Sequence, residues 1–139
     1  MKGHILLVSS DLNKLLTRQR AFSAEMEVDG SVTIAGTAEK ALTFIKAMEF
    51  TLIVCDLDLP EFNAQKFLGD VKHTRPQSHI LLVAPPETDR GLLLRYGADE
   101  VIEEPASVTE LVRSVEHALR RIELFRRVNE ANLRKRPEA

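Results

Sequence analysis

Short apolar runs alternate along this chain with longer stretches in which apolar residues recur every three or four positions. The runs occupy residues 5–8, 32–34, 52–55, 80–83 and 101–102, the second more polar and the last weaker than the rest. A continuous apolar run of this length reads as a strand buried on both faces. Strands alternating with helix-length segments predict βαβ units and a parallel sheet. Right-handed crossovers then place helices on both faces. The pattern predicts an α/β chain, a (βα)5 doubly wound parallel sheet, with no internal repeat.

The helical stretches carry their own punctuation. Asp11 is placed to cap a helix with Leu12, Leu15, Leu16 and Phe22 on one side. Thr37 opens a second, with Ala41, Leu42, Ile45 and Met48 inward. Phe67, Leu68 and Val71 mark a third that stops before Pro76, and Leu92, Leu93 and Leu94 a short fourth closed by Gly97. Ser107 and Glu110 have capping-box spacing at the head of the fifth.

Nothing breaks that fifth helix before Pro137. At 1.5 Å per residue it spans ~42 Å, more than a domain of this size covers. Leu111, Val115, Ala118, Ile122 and Phe125 follow 4-3 spacing, which Asn129 and Asn132 extend. This seam predicts a short coiled coil, with Asn129 as a buried polar residue of the kind that favours a dimer. One over-long amphipathic helix with a frayed end is the alternative. The expected division is a domain over residues 1–122 and a helical extension over 123–139, a dimerisation helix or a linker to an output domain. A piece of a longer protein is the expectation. The extension is basic, but Glu123 and Glu130 interrupt its arginines, so a solvated face is expected rather than a nucleic-acid site.

Composition narrows the class. The 139 residues are 44% hydrophobic and 29% charged with a net charge of −2, which gives no general pull toward nucleic acid or membrane. No apolar stretch has the length of a membrane span. One cysteine, Cys55, forms no intramolecular disulfide. A cytoplasmic protein is expected. The four histidines show no metal-ligand spacing, and no Gly-rich phosphate loop follows the first strand.

One residue stands out for chemistry. The third apolar run ends in Asp56, followed by Leu57, Asp58, Leu59 and Pro60. A strand buried on both faces delivers Asp56 to the carboxyl edge of its sheet, where open parallel sheets bind ligands. The plainer alternative is an aspartate that starts a turn.

A (βα)5 chain with an aspartate ending its third strand resembles the receiver domain of bacterial two-component response regulators, the CheY-like superfamily. Residues 56–60 with Asn63-Ala64, then Gly97-Ala98-Asp99-Glu100 and Glu104-Pro105, carry the resemblance, which covers roughly 3–122. It implies the flavodoxin-like strand order 2-1-3-4-5 with the site at the switch between strands 1 and 3. It also implies a cis bond between Glu104 and Pro105. Asp56 takes the phosphoacceptor position, which in the family attacks a phosphohistidine of a partner kinase.

The other elements of that chemistry are altered. The acidic pair that helps the family hold Mg²⁺ is replaced by Ser9 and Ser10. Ala84 stands at the Thr/Ser position after strand 4, Glu104 at the Lys position after strand 5, and Val101 at the aromatic switch position. Asp56 and Asp58 are the remaining candidate metal ligands; no cofactor is expected, and Mg²⁺ only in an active receiver. Phosphoryl transfer needs positive charge aimed at the equatorial oxygens. Two unit charges ~4–5 Å apart interact by ~3–4 kcal/mol at an effective dielectric of ~20, so Glu104 in place of Lys penalises the phosphoryl group if it points inward. An inward Glu104 facing Asp56 would share a proton with it, recruit a local Arg or Lys, or bind a cation without phosphate.

The expectation is a degenerate receiver, not an enzyme beyond self-catalysed phosphoryl transfer, acting by phosphorylation-independent protein–protein contact. The face between strands 4 and 5 is the docking surface that the resemblance implies. Partners are a sensor histidine kinase or an output domain, with a homodimer through the last helix; neither nucleic acid nor membrane is expected. The alternative is a working receiver phosphorylated on Asp56. An unrelated flavodoxin-like enzyme has no supporting motif.

Overall fold

The computed structural model describes residues 3–25, 32–104 and 107–135. Ten elements alternate strictly: β1 (Ile5–Val8), α1 (Leu12–Glu25), β2 (Val32–Ala35), α2 (Ala38–Ala47), β3 (Leu52–Asp56), α3 (Ala64–Thr74), β4 (His79–Ala84), α4 (Arg90–Tyr96), β5 (Glu100–Glu103) and α5 (Val108–Lys135). The strands form one parallel sheet in the order β2-β1-β3-β4-β5. The flavodoxin-like architecture implied by the resemblance is the one observed. The bond between Glu104 and Pro105 lies outside the described residues.

Two cores follow from the two-residue period of a strand. Leu6, Val8, Ile53, Cys55, Ile80, Leu82 and Ala84 face one way, onto α2, α3 and α4. Ile5, Leu7, Leu52, Val54, Leu81 and Val83 face the other, onto α1 and α5. β1 and β3 are buried along their whole length because both faces are covered, whereas edge strand β2 is half-exposed at Val32, Thr33 and Ile34. That explains why its run is the more polar one.

The predicted caps form as hydrogen bonds. Asp11 Oδ1 accepts from the amides of Asn13 and Lys14, Thr37 Oγ1 from Lys40, and Ser107 Oγ from Glu110. Gly97 ends α4 at φ 124°, where a Cβ would sit 3.3 Å from Lys72 Cγ.

Two expectations about stripes are corrected. On α1, Leu15 and Phe22 are buried, but Leu12 and Leu16 are exposed. The inward line runs Leu15–Arg18–Phe22, so an arginine holds a core position and the two leucines fall outside the stripe. On α5, Leu111, Val115 and Ala118 are buried in the domain's own core, Ile122 packs at its margin, and Phe125, Asn129 and Asn132 are exposed. The first half of the supposed seam is therefore used within the chain. The exposed apolar residues of the extension are Leu124, Phe125, Val128 and Leu133, and Leu124, Val128 and Ala131 keep 4-3 spacing one position away from the expected seam. No helix among the described residues is long and apolar enough to cross a membrane.

Candidate functional site

Strand parity decides what Asp56 meets. Leu52 and Val54 face α1 and α5, so Asp56, two residues on, is directed to the same side. It is the last residue of β3, paired with Val83 of β4, and it is buried. On α1 the same side is met by Arg18. Arg18 Nη1 donates to Asp56 Oδ1 at 2.8 Å, and both side chains are almost wholly removed from solvent. A buried charge is tolerated when it is paired and hydrogen-bonded. The pair explains how an arginine holds a core position on α1 and how a carboxylate survives at the end of an apolar strand.

Arg18 is the functional residue that motif comparison does not reach, because it lies outside every matched position. Its signal is nevertheless in the sequence: an arginine at the third place of the 4-3-4 series Asp11, Leu15, Arg18, Phe22. A charge at a core position requires a partner, and Asp56 is the buried acid available to it.

The remaining candidate residues divide into those that gather here and those that do not. Ser9 is buried at the end of β1, where its hydroxyl accepts from the Asp11 amide at 3.1 Å. Ser10 is exposed, and Asp58 is exposed on the loop after β3. Ala84 closes β4, buried, and its carbonyl accepts from the Glu104 amide at 2.8 Å. Val101 is buried on the opposite face, against α3 and α4, and its carbonyl accepts from Arg90 Nη2. Glu104 is half-buried and lines a cavity of about 340 Å³ together with Asn13, Lys14, Thr17, Arg18, Val83 and Val108. Cys55 lies beside Asp56 but is no nucleophile. Burial, with the Asp56 charge adding to it, pushes its thiol far above the ordinary range.

Mg²⁺ needs a near-octahedral shell of oxygens that includes one or two carboxylates. Here one oxygen of Asp56 is engaged by a guanidinium, the Ser9 hydroxyl is engaged by an amide, and Asp58 is exposed. Among the described residues no three His, Cys, Asp or Glu side chains are grouped to hold a metal. The donor set does not fit the ion. The positive charge beside Asp56 is the Arg18 guanidinium.

No protein-family model matches the chain. It is 29% identical over 122 residues to the transcriptional regulatory protein YkoG of Bacillus subtilis, covering 86% of this chain and 52% of that protein. It is 30% identical over 119 residues to the transcriptional regulatory protein BasR of Escherichia coli, covering 84% and 52% respectively. The chain thus spans about half the length of the curated relatives it matches. Among solved structures, a CheY-like response regulator receiver domain from Methanospirillum hungatei superposes with a TM-score of 0.78 at 25% identity, over 88% of this chain and 98% of that one. Sheet order, the position of Asp56 and a likeness that spans a whole receiver agree with one another. The chain belongs to the CheY-like superfamily of response-regulator receiver domains.

Proposed function

We propose that this receiver domain is degenerate and signals by protein–protein contact without phosphorylation of Asp56. The observation that carries this reading is the Arg18–Asp56 pair. A guanidinium already sits 2.8 Å from Asp56 Oδ1, paired with the carboxylate that a phosphoryl group would have to join. Ser9, Ser10, Ala84 and Glu104 support it from the other side, since none supplies the charge or the metal ligands that phosphoryl transfer uses.

In this reading the domain is a cytoplasmic, non-enzymatic module of a two-component pathway. Its partner is a sensor histidine kinase or an output domain. The face built by α4, β5 and α5 serves as the docking surface, and two arginines hold it to β5: Arg90 on the Val101 carbonyl and Arg121 on Glu100. Residues 123–139 form the extension that joins an output domain or a second copy. The exposed Leu124, Phe125 and Val128 support such a contact.

A second reading is a working receiver phosphorylated on Asp56 by a histidine kinase. Asp56 Oδ2 favours it, because no described residue hydrogen-bonds to that oxygen. Treatment with acetyl phosphate or beryllofluoride in the presence of Mg²⁺ separates the two. The proposal expects no mass shift and no change in the amide spectrum. A change that is lost in Asp56→Asn establishes the second reading instead.

A further inference from the structure

The exposed part of α5 has a period as well as a composition. Arginine recurs every seven residues at Arg113, Arg120, Arg127 and Arg134, and glutamate at Glu116, Glu123 and Glu130. A strict seven-residue repeat is the period of a helix that supercoils about another, whereas a helix facing only water needs no repeat longer than its i, i+4 pairs. In that repeat Val128 takes the first core position of the heptad, and Leu124 and Ala131 take the fourth. All three are exposed, Leu124 at 63% and Val128 at 48%. A β-branched residue at the first core position with leucine at the fourth favours two strands. The seam begins past Arg121, which Glu100 of its own domain engages. Leu111, Val115, Ala118 and Ile122 meet the domain about a third of a turn away around the helix. A second helix can therefore reach the seam without displacing the domain.

The flanks of the seam decide which helix fits and in which direction. Arg120 and Arg127 stand on one side, and the uncharged Phe125 and Asn132 on the other, all four exposed. Arg127 is held on its flank by Glu123 of its own helix, with Nε 3.2 Å from Oε1. Two copies laid parallel set the arginine flank of each against the uncharged flank of the other, five residues further on. Arg120 then meets the ring of Phe125, and Arg127 the amide of Asn132. A guanidinium stacks on an aromatic face and donates to an amide oxygen, so both meetings are favourable. Two antiparallel copies set arginine against arginine instead, which like charge opposes. The face is complementary to itself in one direction only.

We propose that α5 pairs with α5 of a second copy as a short parallel two-stranded coil. Leu124, Val128 and Ala131 form its core, and Arg120 and Arg127 lie against Phe125 and Asn132 of the other copy. The inference rests on the reading of residues 123–139 as a contact element and names its occupant. It is separable from the silence of Asp56, because sedimentation reads the pairing and a phosphodonor reads the carboxylate. Pairing holds two domains side by side in register, so that the partner of each is presented next to that of the other.

Sedimentation equilibrium of the full chain tests it. The expected result is a monomer–dimer equilibrium with a Kd of about 100 µM, weak because the seam is short. Leu124→Ser combined with Val128→Ser changes two exposed residues outside both cores. It should weaken pairing at least about tenfold and leave the thermal midpoint of the domain unchanged. Direction is read by oxidation of an equimolar mixture of Leu124→Cys and Ala131→Cys chains, in which Cys55 is buried. Mass spectrometry should find less mixed disulfide than random pairing gives, because each position meets its own copy. As much mixed disulfide as random pairing gives, or more, would join positions 124 and 131 in an antiparallel pair and overturn the proposal. Undiminished pairing in the double serine variant would place the contact elsewhere on the domain and overturn it too. So would a chain that stays monomeric to ~1 mM. If that monomer binds vesicles of anionic phospholipid, the helix belongs to a membrane surface instead.

Discussion

At the carboxyl edge of the sheet, Arg18 and Asp56 form an ion pair whose side chains are 7% and 4% exposed; at the amino edge, the side chains of the Lys72–Asp99 pair are 30% and 34% exposed. The amino edge also holds Arg121 against Glu100, with His79 Nε2 3.7 Å from the same carboxylate. Its charges are shared and partly hydrated. Asp99, for instance, accepts from both Lys72 and the Ile80 amide, so losing one partner leaves another. At the carboxyl edge Asp56 has one described side-chain partner and almost no water. The difference teaches where this fold is brittle. The buried carboxylate of Asp56 rests on a single described side-chain partner, whereas the half-exposed carboxylate of Asp99 at the other edge has two donors.

The largest effect should therefore come from breaking the buried pair. Arg18→Met strands the Asp56 charge in the core and should cost about 3–5 kcal/mol in urea unfolding. The double variant Arg18→Met with Asp56→Leu removes both charges and should recover most of that loss, because apolar residues often replace a buried ion pair at little cost. At the other edge, Lys72→Met should cost no more than about 1 kcal/mol, as partly exposed pairs do. Equal costs at the two edges would erase the contrast.

Proton linkage sharpens the comparison next. Burial holds the His79 imidazole below its ordinary value; Asp99 pulls it up, while Arg121 and Lys72 push it down again. Its Nε2 has no hydrogen-bond partner among the described residues, and 3.7 Å to Glu100 is too long to supply one. A histidine with a depressed native value favours the fold while neutral. Its contribution is present above the unfolded value of ~6.5 and is lost as pH falls below that toward the native value. Unfolding free energy should decline over that interval, and the difference between wild type and His79→Gln should track the decline. A difference that is flat with pH would mean that the amino edge accommodates the proton by reorganising around Glu100.

Both cores are legible in the sequence because strand burial leaves a two-residue signature. The five runs and the caps at Asp11, Thr37 and Ser107 locate the sheet and place Asp56 at its edge. What surrounds Asp56 is less legible. Position-by-position comparison reaches Ser9, Ser10, Ala84 and Glu104, and it has no place for Arg18, which pairs with Asp56 from a helix position unrelated to any motif. The α5 seam misleads for a different reason. A 4-3 stripe states that a helix face is covered but not by what, and Leu111, Val115 and Ala118 are covered by the chain itself. Only past Ile122 does the exposed face of the helix pass to Leu124 and Val128.

Backbone strain gives a last comparison at two residues with positive φ, one at each edge, whose effects should have opposite signs. At the amino edge the position is Gly97, whose freedom the turn into β5 requires; Gly97→Ala meets both the φ of 124° and the Lys72 side chain and should cost about 1–2 kcal/mol. At the carboxyl edge the position is Glu61, at φ 54° in the turn that the Phe62 amide closes on the Leu59 carbonyl. Pro60 and Glu61 occupy the central positions of that turn, and the second is where glycine or asparagine is favoured. Glu61→Gly should therefore stabilise the domain by about 0.5–1 kcal/mol, relieving the backbone against some loss of chain entropy. An unchanged midpoint for Glu61→Gly would mean that the turn is held by its flanks, Leu59 in the core and the Phe62–Phe67 ring pair at 5.3 Å, strongly enough that the residue between them carries no strain.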